Sequence, residues 1–505
     1  MAVQDTALAQ AMKQLGYKDF MSTEQEKMIN SVLAGRDVLA IMPTGGGKTA
    51  GAVLPAMVNN WTVLTVSPLK ALMNDQCASL RAFDLSAYVV NGDTSDQEFQ
   101  DIFHMLRQSK NRPMFLFTTP ETALTVKFKS AINRISIDLL MVDEVHCVSV
   151  WGSGFREKYR RIKSIWLSLK KPQILAVSAT ADPNILHDIK SSVPFVKEKY
   201  IEIIGDPIRS NLHIYVQRAS PEYKTQAKVK EYFLSELKAY LANDHIPSHG
   251  PTIIYCSRIR EAELLFTQLV FAADSNGYGI ALYHGELDTD HRVASLQVFQ
   301  KAKKPLIVAT SAFGMGIDRS DVRTIVHYGA PSDLVEFAQQ IGRAGRDGKP
   351  SYCWTLHMPW MIERKEKAEV GSVPTLEDVE KVYSMLRRAW DNAQEKQQSR
   401  MHLDQFHHIH DLWLKNQENV RSPGFYMDIR RESVRILVEL GYISRIDDHV
   451  TAVKSMQFGT ETHNKLIELT EMKARKSARD AARLRTFFEA EKPDQQELFK
   501  LIAAK

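Results

Sequence analysis

The chain has no pair of neighbouring cysteines. Its four, Cys77, Cys147, Cys256 and Cys353, are scattered through 505 residues. That excludes a small disulfide-stapled fold and a CxxC redox or zinc motif, and it reads as buried thiols in a reducing compartment. No apolar run reaches the ~20 residues a membrane span needs. The N-terminus has no apolar core of a secretory leader. Excess charge of one sign is missing too, since 65 basic residues against 60 acidic ones leave +5. Nucleic-acid binding is compatible with that balance but would have to rest on a local basic surface. The expectation is a soluble protein of a reducing intracellular compartment (cytoplasm, nucleoid or nucleus) with no membrane partner.

What is present is ordinary globular material, 44% hydrophobic and 25% charged, long enough for about three domains at ~150 residues each. Short apolar runs at 38–41, 62–66, 86–90, 114–118, 138–142 and 173–177 alternate with helical stretches, the pattern of a parallel sheet covered on both faces. After a break at Ile204-Gly205-Asp206-Pro207 the pattern restarts. Strands are expected at 212–216, 251–255, 279–283, 305–309 and 323–327, and the second α/β unit ends near His357. Beyond it the chain turns charged and mostly helical. The domains expected are therefore 1–206, 207–358 and 359–505.

The chain is organised around Met42-Pro43-Thr44-Gly45-Gly46-Gly47-Lys48-Thr49, set between the apolar run Val38–Ile41 and an Ala/Val/Leu-rich helix. Glycines let several backbone N–H groups converge on one anion, and the helix N-terminus adds its positive end. Lys48 would reach the β- and γ-phosphates of ATP, and Thr49 would offer its hydroxyl to Mg²⁺. A Gly-rich turn with no ligand is the plainer alternative. Downstream, Leu139-Leu140-Met141-Val142 runs into Asp143-Glu144-Val145-His146. A carboxylate at that strand end, Asp143, can hold Mg²⁺, and Glu144 can orient and deprotonate the attacking water. A solvated acidic turn is the competing reading. Ser178-Ala179-Thr180 follows another strand and could connect this site to something that moves.

In the second unit, Gln339-Gln340-Ile341-Gly342-Arg343-Ala344-Gly345-Arg346-Asp347-Gly348 sets two arginines three apart. A guanidinium suits a developing phosphoryl charge because it binds oxyanions bidentately and stays protonated. Arg346 is expected as the arginine finger, with Arg343 close to the phosphates. Ala309-Thr310-Ser311-Ala312-Phe313-Gly314-Met315-Gly316-Ile317-Asp318 is a second loop leaving a strand end.

In this order the motifs resemble those of superfamily 2 helicases and, among them, the RecQ family of DNA helicases. The resemblance covers residues 15 to about 357. It implies an α/β fold of two tandem RecA-like parallel-sheet domains, followed here by a mostly helical C-terminal region with a candidate winged helix at about 424–458. It implies Tyr17 stacking on adenine and Gln25 bonding its edge, within an opening motif Leu15-Gly16-Tyr17-Lys18-Asp19-Phe20 followed by Gln25. The catalytic set it implies is Lys48, Asp143, Glu144, Gln339, Arg343 and Arg346. Ser67-Pro68-Leu69-Lys70-Ala71-Leu72 and Thr118-Thr119-Pro120-Glu121 are similar to strand-contacting motifs, so Ser67, Thr119 and Thr310 are expected on DNA. The most specific stretch, His146 to Tyr159, is similar to the family's aromatic-rich loop. Trp151 and Phe155 beside Arg156 and Lys158 also offer base stacking next to phosphate pairing on physical grounds alone. Met21 stands where the family usually has arginine, and Ser153 and Gly154 replace a family histidine and aspartate. No cysteine follows Cys353, so the family's four-cysteine zinc module is not expected. The resemblance implies an ATP-dependent, 3′-to-5′ helicase or translocase on single-stranded and forked DNA. An RNA helicase, or an ATP-gated binding module without processive unwinding, are the alternatives.

In the C-terminal third, Val434, Leu437, Val438 and Leu440 form one helix face stopped by Gly441. Tyr442-Ile443, a turn at Asp447-Asp448-His449, and Val450–Val453 read as a two-stranded wing, with Arg430, Arg431 and Arg435 available for phosphate. A plain helical packing domain fits the same pattern. His402, His407, His408 and His410 read as ordinary helix histidines more readily than as a metal site. The run Lys473, Arg475, Lys476, Arg479, Arg483 and Arg485 is a solvated helix face or a phosphate- or partner-binding one.

Overall fold

Period-two alternation builds the first sheet. Along β1 (Asp37–Ile41), Leu39 and Ile41 enter one apolar cluster while Val38 and Ala40 enter another on the opposite face. In β2 (Thr62–Val66), Leu64 and Val66 divide from Val63 in the same way. A strand buried on both faces must be apolar throughout, which is why these runs carry so few polar residues. The structure is a computed structural model. It describes residues 2–501 apart from 69, 109–111, 150–156, 180–182, 207–208, 221, 224, 243–249, 314–318, 359, 364–375, 396–400, 403–432, 435, 439–440, 447–448, 454–459, 491–492, 494–497 and 499–500.

The chain forms two compact units, Met1–Met358 with Thr486–Lys505, and Pro359–Arg485. The first holds two parallel sheets, one per lobe. Sheet one adds β3 (Ser86–Val90), β4 (Met114–Thr118), β5 (Leu139–Val142), β6 (Gln173–Ser178) and β7 (Tyr200–Ile204), ordered β3-β4-β2-β5-β6-β1-β7. Sheet two comprises β8 (Leu212–Arg218), β9 (Thr252–Cys256), β10 (Gly279–Tyr283), β11 (Pro305–Ala309), β12 (Thr324–Tyr328) and β13 (Ser351–His357), ordered β10-β11-β9-β12-β13-β8. Every neighbouring pair in both sheets is parallel. All strand ends that carry candidate chemistry therefore open on the C-terminal edges, where open α/β sheets bind their ligands. The strands expected from sequence are there, and β7 and β13 are additional to them. The four cysteines are buried and free.

The second unit has its own apolar cluster. Helix Leu376–Glu395 supplies Val379, Val382, Tyr383 and Leu386, which pack on Val434, Ile436 and Leu437 and on the hairpin residues Ile443, Val450 and Val453. Ile436, absent from the helix face expected at 434–440, points inward. Gly441 (φ +76°) ends that helix, with Gly441 N donating to Val438 O and Tyr442 N to Leu437 O, a Schellman closure. The sheet is antiparallel, β14 (Met401–His402), β15 (Ile443–Ile446) and β16 (His449–Val453), ordered β14-β16-β15. The expected hairpin is thus present and gains a third strand. Arg430, Arg431, Arg435, His407, His408 and His410 lie outside the described residues.

The last helix, Thr460–Glu489, finishes on the first unit, although the expected third domain ran to 505. Phe487 and Phe488 are fully buried, each with its ring 5.5 Å from Phe337. Arg218 donates to Phe488 O at 2.8 and 3.1 Å. Phe337 belongs to helix Leu334–Ile341, which leads straight into the Arg343–Arg346 turn.

Beneath that helix, His327 Nε2 lies 2.9 Å from Gln340 Oε1, and Gln340 Nε2 donates to Glu336 Oε1 at 2.9 Å. Burial pulls His327 down to about 4, so it is neutral in the fold. The unfolded chain takes up a proton near pH 6.5 and the folded one does not until about 4. Stability is therefore complete above pH 6.5 and is lost as pH falls toward 4, by up to about 3 kcal/mol from this residue. The melting temperature of the first unit should drop over that window, and His327→Gln should flatten the drop. An unchanged slope in the variant would remove His327 as its source.

Candidate active site in the cleft of the first unit

The loop after β1 is shaped by its glycines. Gly45 (φ +79°) and Gly47 (φ +72°) lie in the left-handed region, which side chains other than glycine enter only at a cost. A Cβ on Gly47 would sit 1.9 Å from Gln25 Nε2. Gly46 N donates to Pro43 O, and Ala50 N to Gly47 O as helix Ala50–Asn59 begins. Lys48 is half-buried, with Nζ donating to Met42 O at 3.1 Å and Pro43 O at 3.4 Å. Burial lowers its pKa, Glu144 and Asp143 work to raise it, and Arg346 and Arg209 add to the lowering. Gln76 Nε2 donates to Thr49 Oγ1 at 3.3 Å. Gln76 is thus a site residue that sequence reading missed, since its helix carries no motif of its own.

Gln25 is placed by the helix Thr23–Leu33. Ser22 caps that helix by accepting from Gln25 N, while Gln25 Oε1 accepts from Met21 N at 2.7 Å and Nε2 donates to Gly47 O at 3.3 Å. The side chain thus braces the glycine loop. Tyr17 packs on the cluster of Leu8, Ile29, Ala50 and Leu54, against the helix that follows the loop.

Asp143 and Glu144 end β5 beside this loop. Asp143 is buried, its N donating to Val66 O and its Oδ1 accepting from Glu144 N at 2.9 Å. Burial and the adjoining Glu144 carboxylate raise its pKa, with Lys48 opposing. Glu144 sits at φ 47°, ψ 47°, a conformation that costs a non-glycine residue about 1–2 kcal/mol and is found concentrated at functional sites. Burial would raise Glu144, yet His146, Lys48 and Arg343 together hold it below the ordinary carboxylate value. His146 Nδ1 is 3.2 Å from Glu144 Oε2 and 2.9 Å from Ser178 Oγ, which ties the acidic loop to the end of β6. Tyr159 OH donates to Asp143 O at 3.0 Å, and Ser149 Oγ to Asp188 Oδ2 at 2.5 Å. The Tyr159 end of the aromatic stretch is therefore anchored on Asp143, and the Ser149 end on the helix Pro183–Ser192. Trp151, Phe155 and Arg156 lie outside the described residues, as do Thr180 and 314–318.

The second lobe closes the cleft. A Cβ on Gly45 would meet Arg346 Cγ at 3.2 Å, and one on Gly342 would meet Thr44 Cβ at 3.3 Å. Arg346 thus lies over the glycine loop, near enough to Lys48 to lower its pKa. Arg343 lies near Glu144 and the Tyr255 phenol; Tyr255 itself donates to Phe313 O at 2.8 Å. Gln339 is half-buried, whereas its neighbour Gln340 is the one tied into the core. Arg209, which no motif flagged, donates to Thr44 O on one lobe and to Gly342 O and Ala344 O on the other.

The remaining candidates sit on the same edges. Ser67 follows β2 and is fully buried, with no hydrogen-bond partner for its Oγ among the described residues. Thr119 caps helix Pro120–Ala123 and bonds Thr122. Thr310 follows β11 and its N donates to Tyr283 O at 3.1 Å. Lys158 is half-buried just before Tyr159. Curled glycine backbone, an ammonium, a threonine hydroxyl and a buried carboxylate, at the ends of the two strands that flank β6, fit a nucleotide polyphosphate with Mg²⁺, the hydroxyl and carboxylate being oxygen donors of the kind that ion takes.

Residues 22–189 match the DEAD/DEAH box helicase family and residues 233–348 the helicase conserved C-terminal domain. The chain is 31% identical over 356 residues to the ATP-dependent DNA helicase RecQ of Synechocystis, covering 69% of this chain and 70% of that protein. To the ATP-dependent DNA helicase Q5 of Rattus norvegicus it is 34% identical over 346 residues, 68% of this chain but 35% of the relative. The chain thus spans about a third of that relative's length. The crystal structure of the DUF1998 helicase MrfA bound to DNA and AMPPNP aligns with a TM-score of 0.56 at 20% identity, covering 73% of this chain and 52% of that one, a likeness of fold.

Gly47→Ala should weaken binding of a fluorescent adenine triphosphate by about tenfold or more, since it adds the left-handed cost to a collision with Gln25. A titration giving the parental affinity would show that this loop does not form the cradle.

Proposed function

The chain belongs to the RecQ family of DNA helicases, and we propose that it is an ATP-driven motor that moves 3′ to 5′ along single-stranded DNA and opens duplex ahead of it. The observation that carries this reading is that Arg346, from one parallel-sheet lobe, lies over the glycine loop of the other and acts on Lys48. A site assembled from two lobes can be made and unmade by their movement, which is what a motor needs of its fuel site.

In this reading the amides of Gly45, Gly46 and Gly47 cradle the phosphates, with Lys48 on the β- and γ-groups. Thr44 belongs to the same cradle, while Tyr17 and Gln25 take the adenine. Thr49 and Asp143 would hold Mg²⁺, which when bound shields the charge on the phosphates. Glu144 orients the attacking water and accepts its proton. Arg346 and Arg343 meet the charge developing on the transferred phosphoryl group, and Gln339 lies one helical turn ahead of Arg343. Single-stranded DNA crosses the strand ends at Ser67, Thr119 and Thr310, and stacks on Trp151 and Phe155 beside Arg156 and Lys158. Occupancy there reaches the fuel site through the anchor of Tyr159 on Asp143 and the His146–Ser178 bond. The C-terminal region is assigned to duplex or to a protein partner.

Lys48→Ala should abolish ATP turnover, and Glu144→Gln should bind ATP without hydrolysing it. On a forked DNA with a 3′ tail the parent should separate the strands, and on one with a 5′ tail it should not. DNA-stimulated hydrolysis without strand separation would leave an ATP-gated clamp, and stimulation by RNA alone would make it an RNA motor.

Trp151→Ala should keep basal hydrolysis and lose most of its stimulation by single-stranded DNA. A parental response to DNA would take that loop out of the coupling path.

A further inference from the structure

Two arginine side chains come together over Gly45, and one of them belongs to none of the motifs. A Cβ at Gly45 would lie 3.2 Å from Arg346 Cγ and 3.3 Å from Arg209 Nη1. Arg209 Nη1 donates to Thr44 O in the glycine loop of the first lobe. Its Nη2 donates to Gly342 O at 2.9 Å and also to Ala344 O, the two carbonyls that bracket Arg343. Two positions on, Asn211 Nδ2 donates to Gly345 O at 2.8 Å and Lys349 O at 2.7 Å. The segment that joins β7 to β8 therefore grips both the phosphate loop and the turn that carries Arg343 and Arg346. Burial lowers the pKa of Arg209, so placing a cation there costs free energy that its carbonyl bonds must offset.

We propose that Arg209 is a positioning residue, a guanidinium clamp that fixes the Arg343–Arg346 turn in register with the glycine loop so that the two lobes meet in one geometry. Its forked donors suit the task. Carbonyls on two loops must be engaged at once, and a lysine offers only a single compact ammonium in place of that planar spread. The clamp spends its donors on backbone and leaves the phosphates to Lys48, Arg343 and Arg346. Removing it should therefore leave ground-state binding of ATP nearly intact and slow the step that needs the second lobe in place. This rests on the cleft being the ATP site.

Two measurements on the full chain test it together. Arg209→Ala should lower DNA-stimulated kcat by about tenfold or more while the KM for ATP stays within about threefold, with Arg209→Lys between it and the parent. Millimolar guanidinium should restore part of the lost rate in Arg209→Ala and none in Arg209→Lys. Fluorophores on Val126→Cys and Phe271→Cys, both 82% exposed and one on each lobe, report the lobe separation by energy transfer. Arg209→Ala should broaden that distance distribution. A rate loss with an unchanged distribution, or an unchanged rate, would overturn the clamp. If the parent itself shows no DNA-stimulated hydrolysis, the proposed function fails, and the distance distribution alone then decides the clamp.

Discussion

An ammonium drawn partly out of water is tolerable only where opposite charge and carbonyl oxygens surround it, and Lys48 has both. Met42 O and Pro43 O accept hydrogen bonds from Nζ, while Asp143 and Glu144 act on it from the loop after β5. Burial pulls its pKa down and the two carboxylates push it back up, so loop and acids must be placed together or neither is stable. That requirement fixes much else. The glycine loop must curl until Nζ turns back on its own carbonyls, and β5 must end where β1 ends. A parallel sheet with β1 and β5 on either side of β6 provides both. The cost is visible at Glu144, whose left-handed backbone stores strain at the one position where a carboxylate must turn away from Asp143.

The second lobe then adds charge of the other sign. Arg343 and Arg346 approach a site that already contains an ammonium, and Arg346 and Arg209 both depress Lys48. Cations gathered this closely repel one another, and the Asp143–Glu144 pair only partly offsets them. Such a cluster is well matched to a ligand of several negative charges. A polyanion bound there would relieve that repulsion.

Much of this could be read in the sequence because each feature was local. The apolar runs of β1, β2, β4 and β5 are buried on both faces, and only a continuous apolar string satisfies that. The glycine loop, the acidic strand end and the arginine turn each lie within ten consecutive residues. What escaped was of a different kind. β7, Tyr200–Ile204, is an edge strand with alternating exposure, and β13, Ser351–His357, mixes serine, threonine and histidine among its apolar residues. Neither stands out as a run. Arg209 and Gln76 work through partners more than 25 residues away in sequence, so nothing in their own neighbourhood marks them. Gln25 was legible as a residue that matters, yet its bonds to Met21 N and Gly47 O could be found only once the helix start and the glycine loop were placed side by side.

The arginine turn depends on the far end of the chain in the same non-local way. Helix Leu334–Ile341 holds that turn, and its apolar face rests on Phe337, which Phe487 and Phe488 cover. Each phenylalanine brings on the order of 2–3 kcal/mol of burial, and Arg218 fastens the pair by bonding Phe488 O. Beside it, Gln340 reaches from the same helix to His327 in the sheet. The helix is thus fixed by an aromatic stack on one side and a neutral histidine on the other, both sensitive to changes that never touch the cleft. Between β13 and Phe487 the chain leaves to form a separate compact unit, 359–485, and returns.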